Sequence, residues 1–372
     1  MEKLGLHINL FFGIQSLNQL CEIQNKKIWI VCDKFLAETG SVTQLMDRLD
    51  TSNQVEIWSD VVPDPPMEKI SVGIQCLDNL KPEIVLAFGG GSAIDTAKAV
   101  IYLSKQLFHH AIEKFIAIPT TSGTGSEVTS ATVISDPVKQ LKYPIFNDQL
   151  LPDEAILDPE LVLSVPPSVT ANTGMDVLTH ALESYVSVAS NDYTEAFAEK
   201  AGKIVNEYLL KCYQNGSDIE SRMKMHNASC MAGLAFNKTN LGITHSIAHQ
   251  LGAVFHIPHG LANAILLNHV IRFNASQSDC VKGKYAKFAR ALGLICWRES
   301  DEAAVLALQK RISWMMSKMK MPSSLSALDI RKEDVFASLE KITFNVFQDA
   351  CFGTNPVQPS ASQVISIICE AL

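Results

Sequence analysis

Between Gly242 and Asn268, the segment GITHSIAHQLGAVFHIPHGLANAILLN sets four histidines, His245, His249, His256 and His259, into fifteen residues of an otherwise apolar run. Imidazole is the commonest protein ligand for Zn, Fe and Cu ions, and an apolar wall around it excludes water and fixes its orientation. Earlier in the chain, Asp176 and His180 sit four apart in TGMDVLTHALESY, a helical pattern. That spacing puts a carboxylate and an imidazole on one helix face, roughly 5–6 Å apart at Cβ. A single histidine in an apolar helix is more often a hydrogen-bonded core residue than a ligand. Six such residues in two apolar clusters are harder to explain that way, because each would need buried partners of its own. The pattern points to one divalent-metal site built across two helices. HSIAH lacks the glutamate of HExxH, so the site is not that of a zinc protease. Spacing alone does not separate His245 from His249 as the ligand, since both lie on one helix face.

The elements that must position these residues fall into two halves. The first alternates short apolar runs with helical patterns, the rhythm of a parallel sheet flanked by helices. LHINLFFG reads as a strand pair, KKIWIVCD (Lys26–Asp33) as a buried strand ending in an acid, and VEIWSDVVPDPP as a strand leading into a proline-rich turn. MEKISVGIQCLDNL follows with Ile70, Ile74 and Leu77 on one helical face. Next come EIVLAF, GGGSAIDTAKAVIYL, and FIAI running into PTTSGTGSEVTS. Proline and glycine recur at short intervals between Pro152 and Pro167, which reads as a link between domains. Long apolar and amphipathic patterns dominate from there to Leu372. The expected organisation is an α/β domain over residues 1–165 and an all-helical domain over 166–372. Small residues in NASCMAGLAF (Asn227–Phe236) suit tight helix packing, and that segment is read as core without chemistry.

Three loops at one edge of the expected sheet have the mechanics of a dinucleotide site. After EIVLAF, Gly89, Gly90 and Gly91 let the backbone approach a ligand, and Ser92 can cap the helix that begins there. A helix N-terminus offers free N–H groups and a positive dipole to a phosphate. The loop is neither GxGxxG nor a Walker loop. After FIAI, Thr120, Thr121, Ser122, Thr124 and Ser126 crowd one turn and offer hydroxyls to sugar and phosphate oxygens. After IWIVC, Asp33 can accept from ribose hydroxyls; a carboxylate there repels a 2′-phosphate and favours NAD over NADP.

Composition narrows the remaining classes. The chain has 372 residues, 47% of them hydrophobic, enough for two buried cores. A formal net charge of −8 with no basic block argues against nucleic acid as a partner. Nine dispersed cysteines without a CxxC pair read as reduced thiols of a cytosolic protein. No signal-peptide pattern and no run of membrane-spanning length is seen, so a soluble intracellular protein is expected.

GGGSAIDTAKA, PTTSGTGSEVT, the D-x3-H pair and the H-x3-H-x9-H run, in this order, resemble the iron-dependent (group III) alcohol dehydrogenase family. The resemblance covers nearly the whole chain. It implies an N-terminal dinucleotide-binding α/β domain and an all-helical metal-binding domain, the fold shared with dehydroquinate synthase. Carried over residue by residue, it implies Asp176, His180, His245 and His259 as metal ligands, with Fe(II) or Zn(II) as the ion. His249 is then a proton-relay residue, and His256 has no matching role. On the cofactor side it implies Gly89, Gly90, Gly91, Ser92 and Asp95 at the phosphates and Thr120, Thr121 and Ser122 on the adenosine side. Asp33 then reads the ribose, and Lys142 lies near the nicotinamide ribose. The implied chemistry is hydride transfer between NAD(H) and a short primary alcohol or its aldehyde, with the metal as Lewis acid.

MDVLTHALE, KMHNASCMAGLAF, AHQLGAVFHIPHGLANA and VIRFNA resemble most the branch of the family that reduces propanal to 1-propanol in 1,2-propanediol utilisation. That branch implies an aldehyde dehydrogenase as neighbour and residence inside a bacterial microcompartment. A homodimer paired through an N-terminal edge strand is expected. The alternative on the same scaffold is a NAD- and metal-dependent lyase resembling dehydroquinate synthase. The apolar residues around the histidines, Ile247, Leu251, Val254 and Phe255, favour a small alcohol over its multiply charged substrate.

Overall fold

The apolar runs of the first half become strands because both faces of their sheet are covered. In the computed structural model, residues 7–63, 65–109, 112–136 and 141–372 are described, with Leu141 and Lys142 described by backbone only. The chain divides into two units, Met1–Ser164 and Val165–Leu372. In the first, the elements in order are β1 (Asn9–Phe12), β2 (Lys27–Asp33), the short helices α1 (Lys34–Glu38) and α2 (Thr43–Met46), β3 (Gln54–Val61) and α3 (Met67–Leu80). They are followed by β4 (Ile84–Gly89), α4 (Gly91–Phe108), β5 (Lys114–Pro119), β6 (Ala131–Asp136), β7 (Leu141–Phe146) and β8 (Glu154–Leu157).

Six strands form one parallel sheet in the order β1-β8-β5-β4-β2-β3. Ile28, Ile30, Cys32, Leu86, Phe88, Ile116 and Ile118 pack on one face. Trp29, Val31, Val85, Ala87, Phe115 and Ala117 pack on the other, against apolar residues of α3 and α4. Burial on both sides is why these strands read as continuous apolar runs. From β2 the chain moves outward to β3, then returns to the other side of β2 as β4. The crevice beyond the carboxyl ends of β2 and β4 is thus a topological switch point, where open parallel sheets bind ligands.

Two expectations are corrected and one element is added. LHINLFFG yields the single strand β1, because Gly13 (φ 106°) and Gln15 (φ 63°) turn the chain away, and the partner of β1 is distant β8. The stretch Pro152–Pro167 read as a link contains the boundary between the two units, but it also holds β8, whose EAIL is wholly buried between β1 and β5. The β6–β7 antiparallel hairpin has no counterpart in the sequence reading.

The second unit is helical: α5 (Pro167–Val186), α6 (Asp192–Gln214), α7 (Ile219–Thr239), α8 (Ile243–Phe255) and α9 (His259–Gln277), then α10 (Asp279–Ala291), α11 (Asp301–Lys318), α12 (Lys332–Gln348) and α13 (Ala361–Glu370). Its core is one continuous cluster. The small residues of Asn227–Phe236 lie on α7, mostly buried, as expected of tight packing. Among the described residues, no helix is long and apolar enough to cross a membrane.

His226, also on α7, is 1% exposed, and burial holds its imidazole down to about 4. Below the ordinary value near 6.5 the unfolded chain takes up this proton and the folded chain does not. Stability is therefore intact above that value and falls as pH drops toward 4, by about 2 kcal/mol at about pH 5. Urea unfolding of wild type and His226→Gln at about pH 7 and about pH 5 measures the difference. Equal losses in the two proteins would assign the acid sensitivity elsewhere.

Candidate active site

The metal-competent residues come from three helices. Asp176 and His180 lie one turn apart on α5, His245 in the first turn of α8, and His259 at the start of α9. One ligand atom from each falls within 4.8 Å of all the others. His259 Nε2 is 3.5 Å, His245 Nε2 3.6 Å and His180 Nε2 3.9 Å from the Asp176 carboxylate. The approach of α9 to α5 depends on Gly260, where a Cβ would lie 2.1 Å from the Asn172 carbonyl oxygen. Any side chain there would lift His259 away from Asp176.

The chemistry of this donor set fits a divalent cation. Burial opposes the Asp176 charge, but His259, then His180 and His245, hold its carboxyl far below the usual range. Burial alone would lower His245; the Glu183 and Asp176 carboxylates more than reverse that and push it up to about 9. The cluster thus demands positive charge at its centre. The Asn263 amide nitrogen lies there, 2.7 Å from Asp176 Oδ1, 3.0 Å from His245 Nε2 and 3.2 Å from His259 Nε2. Three acceptors converging on one point are what a cation requires, and two amide hydrogens cannot serve all three. Asn263 Oδ1, meanwhile, is buried without a hydrogen-bond partner. Asp176, His180, His245 and His259 would hold the ion, and an ion accepting more than four donors could also take a substrate oxygen and polarise it.

Glu183 is the member of this site that the sequence reading missed. It lies one turn after His180 on α5, is 4% exposed, and accepts from His245 Nδ1 at 2.6 Å and from the backbone N–H groups of Thr244 (2.7 Å) and Gly242 (3.0 Å). These bonds, against the cost of burial, hold its carboxyl below the ordinary range. Once a cation takes the place of the Nε2 proton, an ionised Glu183 keeps the remaining His245 proton on Nδ1 and aims the Nε2 lone pair into the cluster. Glu183→Gln is expected to weaken metal binding about 10–100-fold, read by chelator competition. Affinity within twofold of wild type would show that His245 is oriented without it.

His249 sits one turn beyond His245 but outside the four-donor cluster. Its ring stacks on His259 at 5.4 Å between centroids, and its Nδ1 pairs with Asp349 Oδ2 at 2.8 Å. Together with Cys351 these two form a second close group. His256 caps the C-terminus of α8 in the left-handed region (φ 56°), exposed and apart from both groups.

In the first unit, the loops after β2, β4 and β5 meet at the sheet edge. Asp33 ends β2 and caps α1, accepting from Leu36 N at 2.9 Å with one oxygen. Its other oxygen lies 3.7 Å from where a Cβ on Gly89 would be. Gly89 adopts φ +152°, a conformation that side chains rarely take, and its carbonyl accepts from Thr120 N at 3.0 Å. Gly90 and Gly91 face Thr121 and Thr124, so the glycine and threonine loops pack directly together. Ser92 is not the cap expected of it. The N-cap of α4 is Gly90, with no side-chain bond, because the helix already begins at Gly91. Ala93 N already donates to the Gly90 carbonyl at 3.1 Å, so it is the Gly91 and Ser92 N–H groups, uncapped by any side chain, that are left to a ligand.

Asp95, in the first turns of α4, accepts from Ser126 Oγ at 2.5 Å and so ties α4 to the threonine loop. Ser122 lies in the same loop, and Lys142 on β7 opposite Ser135, its side chain outside the described residues. Lys98 went unremarked in the sequence although it stands in the glycine-loop motif. Its ammonium is buried and donates to the carbonyls of Ser126 (2.6 Å), Thr129 (2.7 Å) and Ala131 (3.0 Å) and to the hydroxyls of Thr129 and Ser126. Burial pushes it down to about 8, with Asp95 and Glu127 opposing.

A parallel sheet with an open helix N-terminus at its switch point, on one chain with a cluster suited to a Lewis-acidic ion, is the equipment of a metal- and dinucleotide-dependent enzyme. The chain belongs to the iron-containing alcohol dehydrogenase family, whose models match residues 9–159 and, as the family's C-terminal part, residues 170–372. It is 48% identical to the 1-propanol dehydrogenase PduQ of Citrobacter freundii over 100% of both chains. Among solved structures it resembles a 1,3-propanediol oxidoreductase (TM-score 0.91, 28% identity, 100% of both chains). It also resembles the sulfoacetaldehyde reductase of Bifidobacterium kashiwanohense in complex with NAD+ (TM-score 0.88, 28% identity, 100% of this chain and 98% of that one). The protein is an alcohol dehydrogenase acting on small alcohols and aldehydes, and the lyase alternative is set aside.

Proposed function

We propose that this enzyme reduces propanal to 1-propanol with NADH, and catalyses the reverse oxidation, using Fe(II) or Zn(II) held by Asp176, His180, His245 and His259. The observation that carries the substrate is the full-length 48% identity to a 1-propanol dehydrogenase. A divalent ion at this cluster supplies Lewis acidity toward the substrate oxygen, and the dinucleotide gives or takes the hydride. Residues 166–372 hold the metal. His249 carries the proton to or from the substrate oxygen.

Residues 1–165 bind the dinucleotide. Gly89, Gly90, Gly91, Ser92 and Asp95 line the phosphates, Thr120, Thr121 and Ser122 the adenosine side, and Lys142 the nicotinamide ribose. Asp33 takes the adenosine ribose hydroxyls and repels a 2′-phosphate. The reading includes a homodimer paired through edge strand β1. It also includes service beside an aldehyde dehydrogenase within a microcompartment shell, re-oxidising the NADH which that partner makes.

The test is anaerobic NADH oxidation with propanal by protein stripped of metal and by the same protein after Fe(II) or Zn(II) is restored. Activity should return only with metal, and NADH should outperform NADPH by about tenfold or more. Aldehyde reduction that is indifferent to metal, or equal with NADPH, would overturn the metal or the Asp33 assignment respectively. Failure on propanal with success on a longer aldehyde would move the substrate alone.

A further inference from the structure

Two histidines on one face of α8 each give Nδ1 to a carboxylate from another helix. His245 is paired with Glu183 of α5, and His249 with Asp349, the residue that closes α12. The first pair orients a metal ligand. The second lies outside the donor cluster, and nothing in the reaction as described so far uses Asp349.

The Asp349 carboxylate is built into place. Its Oδ1 accepts from Cys351 N at 2.9 Å and from Ser246 Oγ at 3.3 Å, which leaves Oδ2 for His249. Its side chain is only 12% exposed, and His249 keeps it ionised far below the usual carboxylate range against the cost of burial. The turn that carries it is fastened to the α7–α8 junction at three points. Asn240 Nδ2 donates to the Ala350 carbonyl at 2.9 Å, Thr354 Oγ1 to the Leu241 carbonyl at 2.6 Å, and Ile243 N to Asn355 Oδ1 at 3.3 Å. Asp349 therefore moves with the start of α8, the segment that carries both histidines.

We infer that Asp349 is the positioning residue of the proton relay: it keeps a proton on His249 Nδ1 and presents Nε2 as the nitrogen that exchanges a proton with the substrate oxygen. An acceptor-only carboxylate at 2.8 Å from Nδ1 admits a donor there and nothing else. With Nδ1 engaged, the ring cannot flip, and it stays stacked on His259 beside the cluster. The inference rests on His249 as the proton carrier.

Nitrogen-15 spectra of histidine-labelled, zinc-loaded enzyme read the tautomer directly, with the His249 signal assigned by its loss in His249→Gln. Wild type should show Nδ1 protonated and Nε2 bare, and Asp349→Asn should redistribute that proton while the other histidine signals hold. In the same variant kcat should fall about 100-fold or more, with metal content and the aldehyde KM within about twofold. Asp349→Asn should add no further loss in a His249→Gln background. A wild-type His249 protonated on Nε2, or an Asp349→Asn enzyme turning over at the wild-type rate, overturns the positioning role. Wild-type turnover by His249→Gln instead removes the relay itself, whatever the tautomer shows.

Discussion

His259→Ala should yield a folded protein that loses its metal on desalting and turns over at least about 1,000-fold more slowly than wild type. A Lewis acid at the reacting oxygen is worth several kcal/mol in the transition state, and about 4 kcal/mol corresponds to that factor. His259 is the best ligand for this test because 43% of its side chain is exposed at the start of α9, so its loss opens no cavity. Asp176 is the contrasting case. It is 3% exposed and faces three imidazoles, so Asp176→Ala should weaken the fold as well as the metal site. Metal content by elemental analysis and thermal unfolding of stripped proteins separate the two effects. Full metal occupancy in His259→Ala would remove that residue from the ligand set.

Lys98→Met should destabilise the protein by about 3–5 kcal/mol and weaken NADH binding at least tenfold, although Lys98 is itself buried. The larger part follows from removing one partner of a buried charged network, which strands the others. Three carbonyls and two hydroxyls from the segment Ser126–Ala131 converge on its ammonium, and Asp95 and Glu127 lose their countercharge with it. Glu127 is already pushed up to about 7 by burial. The effect on the cofactor follows because the same network pins the threonine loop against α4, where Gly91 touches Thr124. Denaturant unfolding and quenching of NADH fluorescence measure the two quantities. A stability loss with unchanged NADH affinity would make Lys98 a support of the fold alone.

The sheet and the helical half were legible because their signals are local. Both faces of the sheet are buried, so each central strand announces itself as an unbroken apolar run, and His245 and His249 share a helix with fixed spacing. Spacing alone left His245 and His249 equivalent. The structure separates them by partners that lie 62 and 100 residues away, Glu183 and Asp349. Glu183 stood in plain view, three residues after His180, and a search for carboxylates one turn beyond a metal-competent histidine would have found it. Asp349 carries no local signal at all, since it acquires its role only when the end of α12 reaches α8. Lys98 was hidden for another reason. A lysine in a helix next to a glycine loop reads as a solvated charge, and only the fold of the following loop turns it inward.

Helix α5 is buried at every position from Gly174 to Val186, so the helix bearing Asp176, His180 and Glu183 lacks the solvent face that most helices keep there. Substitutions in that stretch should be poorly tolerated, because any residue that might retune the ion also packs the core. New substrate preferences on this scaffold must therefore be written elsewhere, on the rims of neighbouring helices and the turns between them. The inner helix serves as inherited hardware, and diversification is pushed outward to positions where a change of shape does not threaten the fold.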